Sequence, residues 1–93
     1  MTFKDEVFCI VSKLYDLKRE NPKLSFHCSI ETQNNFYCGT LEIDENHVVN
    51  QECIILNTVL LSDKMKDNAV IKLNKSCISF EAIKVFSYTE HEN

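Results

Sequence analysis

Five cysteines (Cys9, Cys28, Cys38, Cys53 and Cys77) and three histidines (His27, His47 and His91) hold most of the chemical capacity of this chain. His27, Cys28, Cys38 and His47 are the set a zinc ion would draw on, because imidazole and thiolate are its usual ligands. The spacing speaks against it. Cys28 and Cys38 fall near each other across a hairpin, but His27 and Cys28 are neighbours on a strand and so point to opposite faces. No close C-x-x-C pair is present either. Cysteine–histidine catalysis needs a thiol activated by a helix start or a cationic cluster, and no cysteine is marked by one. Asp44, Glu45, Asp63 and Asp67 sit in polar turns, where a carboxylate is solvated by default. A single glycine, Gly39, cannot build a glycine-rich phosphate loop. The expectation is a protein that is not an enzyme and takes no metal, cofactor or small-molecule substrate.

The cysteines read instead as small hydrophobes. Their number is odd and most lie among apolar residues, the usage of buried, reduced thiols in a cytoplasmic or nuclear protein. With 93 residues, 44% apolar and 26% charged, the chain makes one globular domain, residues 1–93. Ten basic against fourteen acidic side chains give a net charge of −4, which lowers the expectation of nucleic-acid binding. No charged-then-apolar leader opens the sequence. Nor does any apolar run approach the ~20 residues that cross a bilayer, so no membrane association is expected.

The elements that position these residues follow from apolar periodicity. Phe3, Val7, Ile10, Val11, Leu14 and Leu17 recur at three- and four-residue steps and predict a helix over residues 3–20. Thr2 caps its start, Asp5 and Glu6 occupy its first turn, Lys18 and Arg19 its last, and Pro22 ends it. The period then becomes two. Strands are predicted at residues 24–32, 36–43, 47–61, 69–74 and 77–86. Gln33-Asn34-Asn35 makes the first hairpin turn, with an asparagine suited to positive φ. Gly39 inside a strand marks a bend, bulge or close backbone contact. Asn74-Lys75-Ser76 is a polar kink between the last two strands, and residues 90–93 are a frayed tail. The fold class predicted is mainly β: an N-terminal helix and a five-stranded, strongly bent antiparallel barrel.

From roughly Glu6 to Val85 the chain resembles the Sm/LSm family. F-Y-C-G-T-L-E-I-D, residues 36–44, is similar to the family's first motif, in which an aromatic residue, a glycine, a leucine and an aspartate recur. L-N-K-S-C-I-S-F, residues 73–80, is similar to the second: an aliphatic residue, then Arg-Gly, then another aliphatic residue three positions after the glycine. The aliphatic ends fit at Leu73 and Ile78, while Asn74-Lys75 replaces the Arg-Gly.

This resemblance implies an Sm-like barrel whose fourth strand pairs with the fifth strand of a neighbouring Sm-like protein. The interface residues would be Val70, Ile71, Lys72, Leu73, Cys77, Ile78, Ser79 and Phe80. RNA-binding members of the family hold a uracil with an asparagine and the motif arginine. Here Asn46 or His47, and Asn74 with Lys75, stand at those positions, and asparagine lacks the guanidinium fork. Direct RNA contact is therefore not expected. A divergent Sm domain without these ligands resembles the Sm-like Gemin subunits of the survival-of-motor-neuron (SMN) complex. The leading helix and the end soon after the fifth strand are more similar to the seventh Gemin than to the sixth. The implied role is spliceosomal snRNP assembly in cytoplasm and nucleus, as a heterodimer with another Sm-like protein and with further SMN-complex subunits. The alternative is an LSm-type ring subunit binding uridine-rich RNA through Asn46, His47, Asn74 and Lys75. A small acidic inhibitor ranks below both, because charges of both signs are interspersed.

Overall fold

A computed structural model describes residues 2–44, 46, 48–65 and 69–93. Helix α1, Phe3–Glu20, begins at a capping box. The Asp5 backbone N–H donates to the Thr2 hydroxyl, and the Thr2 N–H donates back to the Asp5 carboxylate at 3.1 Å. That backbone N–H, together with the Thr2 hydroxyl donating to the same carboxylate, holds the Asp5 carboxyl below its ordinary pKa. At the other end Lys18 Nζ donates to the Pro22 and Leu24 carbonyls, which ties the helix exit to the first strand. Val7, Val11, Leu14 and Tyr15 are buried from the helix, whereas Phe3 and Leu17 at the two ends of the expected stripe stay exposed.

Five antiparallel strands follow: β1 (Leu24–Glu31), β2 (Asn35–Leu41), β3 (Cys53–Asp63), β4 (Val70–Ser79) and β5 (Val85–Glu92). A 3-10 turn, Phe80–Ala82, separates the last two. The sheet order is β4-β3-β2-β1-β5. The barrel is not closed, since β4 and β5 are the two outer strands of the sheet. One face carries the core: Leu24, Phe26, Cys28 and Ile30 of β1 meet Leu41, Ile54, Leu56, Val59, Ile78, Phe80 and Ile83 beneath the helix.

Several boundaries differ from expectation, and each has a local cause. The first hairpin has no left-handed asparagine. Thr32 closes it instead, with its N–H donating to the Asn35 carbonyl and its hydroxyl accepting from the Asn35 N–H. Residues 48–52 lie outside β3, because the Asn50 carboxamide accepts from Glu52 and Cys53 and turns the chain there. Asn74-Lys75-Ser76 does not separate two strands but lies inside β4. Residues 77–79 end β4, and Phe80, expected in the last strand, opens the 3-10 turn as a core residue. Glu90–Glu92 are not frayed: they pair with Leu24, Ser25 and Phe26. The expected turns at Glu45 and at residues 66–68 lie outside the described residues.

The polar segment does mark a bend. Buried positions on β3 run Ile54, Leu56 and then Val59, so their parity changes at Thr58. Opposite them on β4, Ile78 and Ser76 face inward, then Leu73, with the change at Asn74. Thr58 is the only described non-glycine residue with positive φ, at 53°, and it is the extra residue of a bulge against β2. Gly39 stands opposite it. A Cβ there would lie 3.0 Å from the Asn57 carbonyl oxygen and 3.2 Å from both Leu56 and Val59. The expected close backbone contact is therefore where the lone glycine sits.

The cysteines divide by face. Cys28 is fully buried, and burial pushes its thiol up to about 12. Cys38 points to the other face, beside Ser29. Cys53 and Cys77 form a disulfide between β3 and β4, with Cα atoms 5.9 Å apart. For this pair the reduced-thiol reading is corrected. Register explains why it was hidden: Ile55 lies opposite Cys77 and Cys53 opposite Ser79, so residues 24 apart in sequence become diagonal neighbours.

Candidate functional site: the two open edges of the sheet

An edge strand turns half of its backbone N–H and C=O groups away from the sheet, where another strand can pair with them. Both ends of this sheet are such edges. β4 offers ten residues in which Val70 and Ile71 are 56% and 54% exposed. Leu60, itself exposed, lies next to them on β3 opposite Lys72. β4 carries Lys72 and Lys75 and no carboxylate. β5 carries Glu90 and Glu92 with His91 and no lysine or arginine. The two edges thus differ in charge sign, and strand pairing between them would join unlike charges.

Of the expected interface residues, Val70, Ile71, Lys72, Leu73, Cys77 and Ser79 all lie on the β4 edge strand. Ile78 belongs to the same strand but turns its side chain to the core, and Phe80 lies beyond the strand in the 3-10 turn. Ile78 faces the core opposite Ile54, and the Phe80 ring is buried edge-on against Phe8 at 5.6 Å. Phe8 is thereby engaged within the molecule, whereas its neighbour Cys9 is exposed. The second edge comes from Val85–Glu92, most of which lies beyond the predicted last strand, residues 77–86. A signal was present in Val85, Phe86, Tyr88 and Thr89, all strand-favouring types. Phe86 and Tyr88 stack loosely at 6.3 Å, and Tyr88 meets Phe26 edge-on at 6.2 Å.

Among the described residues expected for RNA in the alternative reading, Asn74 lines an outer-face groove at the Thr58 bulge, while Lys75 and Asn46 are held by other contacts. Asn74 and Lys75 sit in mid-strand, and Lys75 Nζ pairs with the Glu42 carboxylate at 2.9 Å. The Asn46 N–H donates to the Asp44 carboxylate, closing the turn on itself. His47 lies outside the described residues. His27 and Cys38 share the outer face, beside a groove of about 520 Å³ at the Thr58 bulge, while Cys28 is on the core side. Among the described residues no three His, Cys, Asp or Glu side chains come together as a metal site would require. Tyr15 links the helix to this end of the sheet, its hydroxyl donating to the Glu42 carbonyl at 3.0 Å.

No family model, curated protein or solved structure matches this chain. No described helix is long and apolar enough to cross a membrane.

Proposed function

We propose that this chain is a non-catalytic Sm-like subunit of a ribonucleoprotein-assembly complex of the SMN type, acting in spliceosomal snRNP assembly. Its mechanism is strand addition: an edge of this sheet pairs with the edge of another Sm-like protein. The observation that carries this reading is the strand order β4-β3-β2-β1-β5 behind an N-terminal helix. Pairing of a fourth strand with a neighbour's fifth requires both to be edges, and here they are. The bulge opposite Gly39 supports the resemblance of residues 36–44 to the first Sm motif, because the motif glycine falls where the backbones crowd.

At the second motif, residues 73–80, Asn74-Lys75 stands in place of the Arg-Gly and lies inside β4. Asparagine lacks the guanidinium fork that would grip a base or phosphate, and Lys75 already pairs with Glu42 at 2.9 Å. That exchange favours a protein neighbour over RNA, as in the Sm-like Gemins, the seventh more than the sixth. Work in both cytoplasm and nucleus belongs to this role.

Co-purification from the native cell followed by mass spectrometry tests the reading. Recovery of Sm proteins or other Gemins is expected, with no salt-dependent RNA affinity in the isolated chain. An unrelated set of partners would overturn it. Salt-dependent binding of oligouridine would instead favour an LSm-type ring subunit.

A further inference from the structure

β4 is attached to the sheet on one side only, and its attachment is partly covalent. We propose that Cys53 and Cys77 form a reversible thiol–disulfide exchange site that sets how firmly the β4 edge is held, responding to a small thiol–disulfide couple of the glutathione class.

Geometry permits both states. The two side chains share one face as diagonal neighbours of an unbroken ladder, and their Cα separation of 5.9 Å lies within the ~4.4–6.8 Å that a disulfide spans. Bridge and dithiol therefore fit the same backbone. Access favours exchange as well. Cys77 is exposed on the outermost strand and Cys53 half-exposed beside it, whereas Cys28 is sealed in the core. A small thiolate can reach the Cys77 sulfur directly.

Apart from its ladder to β3, side-chain packing secures little of this strand. Only Ile78 of β4 is buried, Leu73 and Ser76 are half-buried, and the bend at Asn74 breaks the pleat between them. The bridge lies on the far side of that bend, towards the 3-10 turn, so it clamps the half of β4 that the bend would otherwise uncouple.

The exchange balances in two steps. The thiolate of one small thiol attacks Cys77 Sγ, forming a mixed disulfide and releasing Cys53 as a thiolate. A second small thiol then displaces Cys77, leaving two protein thiols and one small disulfide. Oxidation is the reverse, with the small disulfide as acceptor of the two electrons. Control of partner pairing through this site rests on the assembly reading above; the exchange and the ordering of β4 do not.

The full chain, equilibrated in glutathione buffers of graded ratio, is acid-quenched, alkylated and weighed by mass spectrometry, and the end states are compared by amide hydrogen exchange. Labelling of Cys53 and Cys77 should fall together as the buffer becomes oxidising, while Cys9 stays labelled. In the bridged form the β3-facing amides of Val70–Ser79 should exchange at least tenfold more slowly, with β1 and β2 little changed. Cys53→Ser and Cys77→Ser should each remove the response, and Cys9→Ser should keep it. Labelling of both cysteines at every ratio, or a bridge that leaves β4 exchange unaltered, would overturn the inference. Partner capture tests the assembly reading separately, and its failure would leave these two readouts decisive on their own.

Discussion

Thr58 and Gly39 are the two residues whose backbones work hardest. A β-branched side chain at φ 53° is disfavoured, and glycine is the residue that adopts this region without a Cβ penalty. Thr58→Gly is therefore expected to leave the fold intact and raise stability by up to ~1 kcal/mol, measured by urea unfolding. Gly39→Ala acts in the opposite direction. Its methyl group would meet the Asn57 carbonyl, a backbone atom that cannot swing aside, and a loss of ~1–3 kcal/mol is expected in the same assay. Cys28 sets a pH dependence. Its folded pKa of about 12 stands above the ~8.5 of an unfolded thiol, so the folded state holds this proton more tightly. The resulting stability is fully present below pH ~8.5 and is lost as pH rises towards the folded value. Tyr15, raised by burial and then by Asp44 and Glu42, acts with the same sign at higher pH. Urea midpoints should fall between pH 8 and pH 10, and Cys28→Ala should flatten that slope.

Each element shows how far local pattern reaches. Helix α1 was legible end to end, because its cap, its charges and its apolar period all agree on Phe3–Glu20. The lone glycine was legible as a close contact, although its partner Thr58 was not, since nothing in I-L-N-T-V-L names the residue that turns left-handed. The last two strands were misdivided for a physical reason. Asn, Lys and Ser are turn-formers on average, but β3 supplies a continuous ladder that keeps them extended, and tertiary pairing outweighs local propensity. The β5 edge was cut short because Glu90, His91 and Glu92 read as a solvated end, whereas β1 alone holds them in register. The candidate interface was thus half visible: β4 in sequence, β5 only once the strand order was known. On this edge Ile71→Lys should change stability by no more than ~0.5 kcal/mol, since the side chain is already half exposed. It should nevertheless weaken capture of an Sm-like partner, as size-exclusion chromatography of the mixed proteins would register.

For the molecule as a whole, the Cys53–Cys77 bridge is the only covalent cross-link among the described residues. It closes a loop with a sequence separation of 24, worth ~3 kcal/mol when chain entropy is the dominant effect. Dithiothreitol should lower the unfolding free energy from urea denaturation by about that amount and should leave Cys77→Ser unchanged. Phe80 is the core's other keystone, joining the 3-10 turn to Phe8 of the helix, and Phe80→Ala should cost ~3–5 kcal/mol by denaturation. The bend at Thr58 and Asn74 has one more consequence. These residues face each other in the β3–β4 ladder, and each shifts the inward-facing set of its own strand by one. They behave like a frameshift and its suppressor. Removing one alone would turn half a strand inside out. Removing both would restore a single phase along each strand, giving a flatter sheet with the same residues inside. The curvature of this protein is written as two matched insertions, and it can be edited only in pairs.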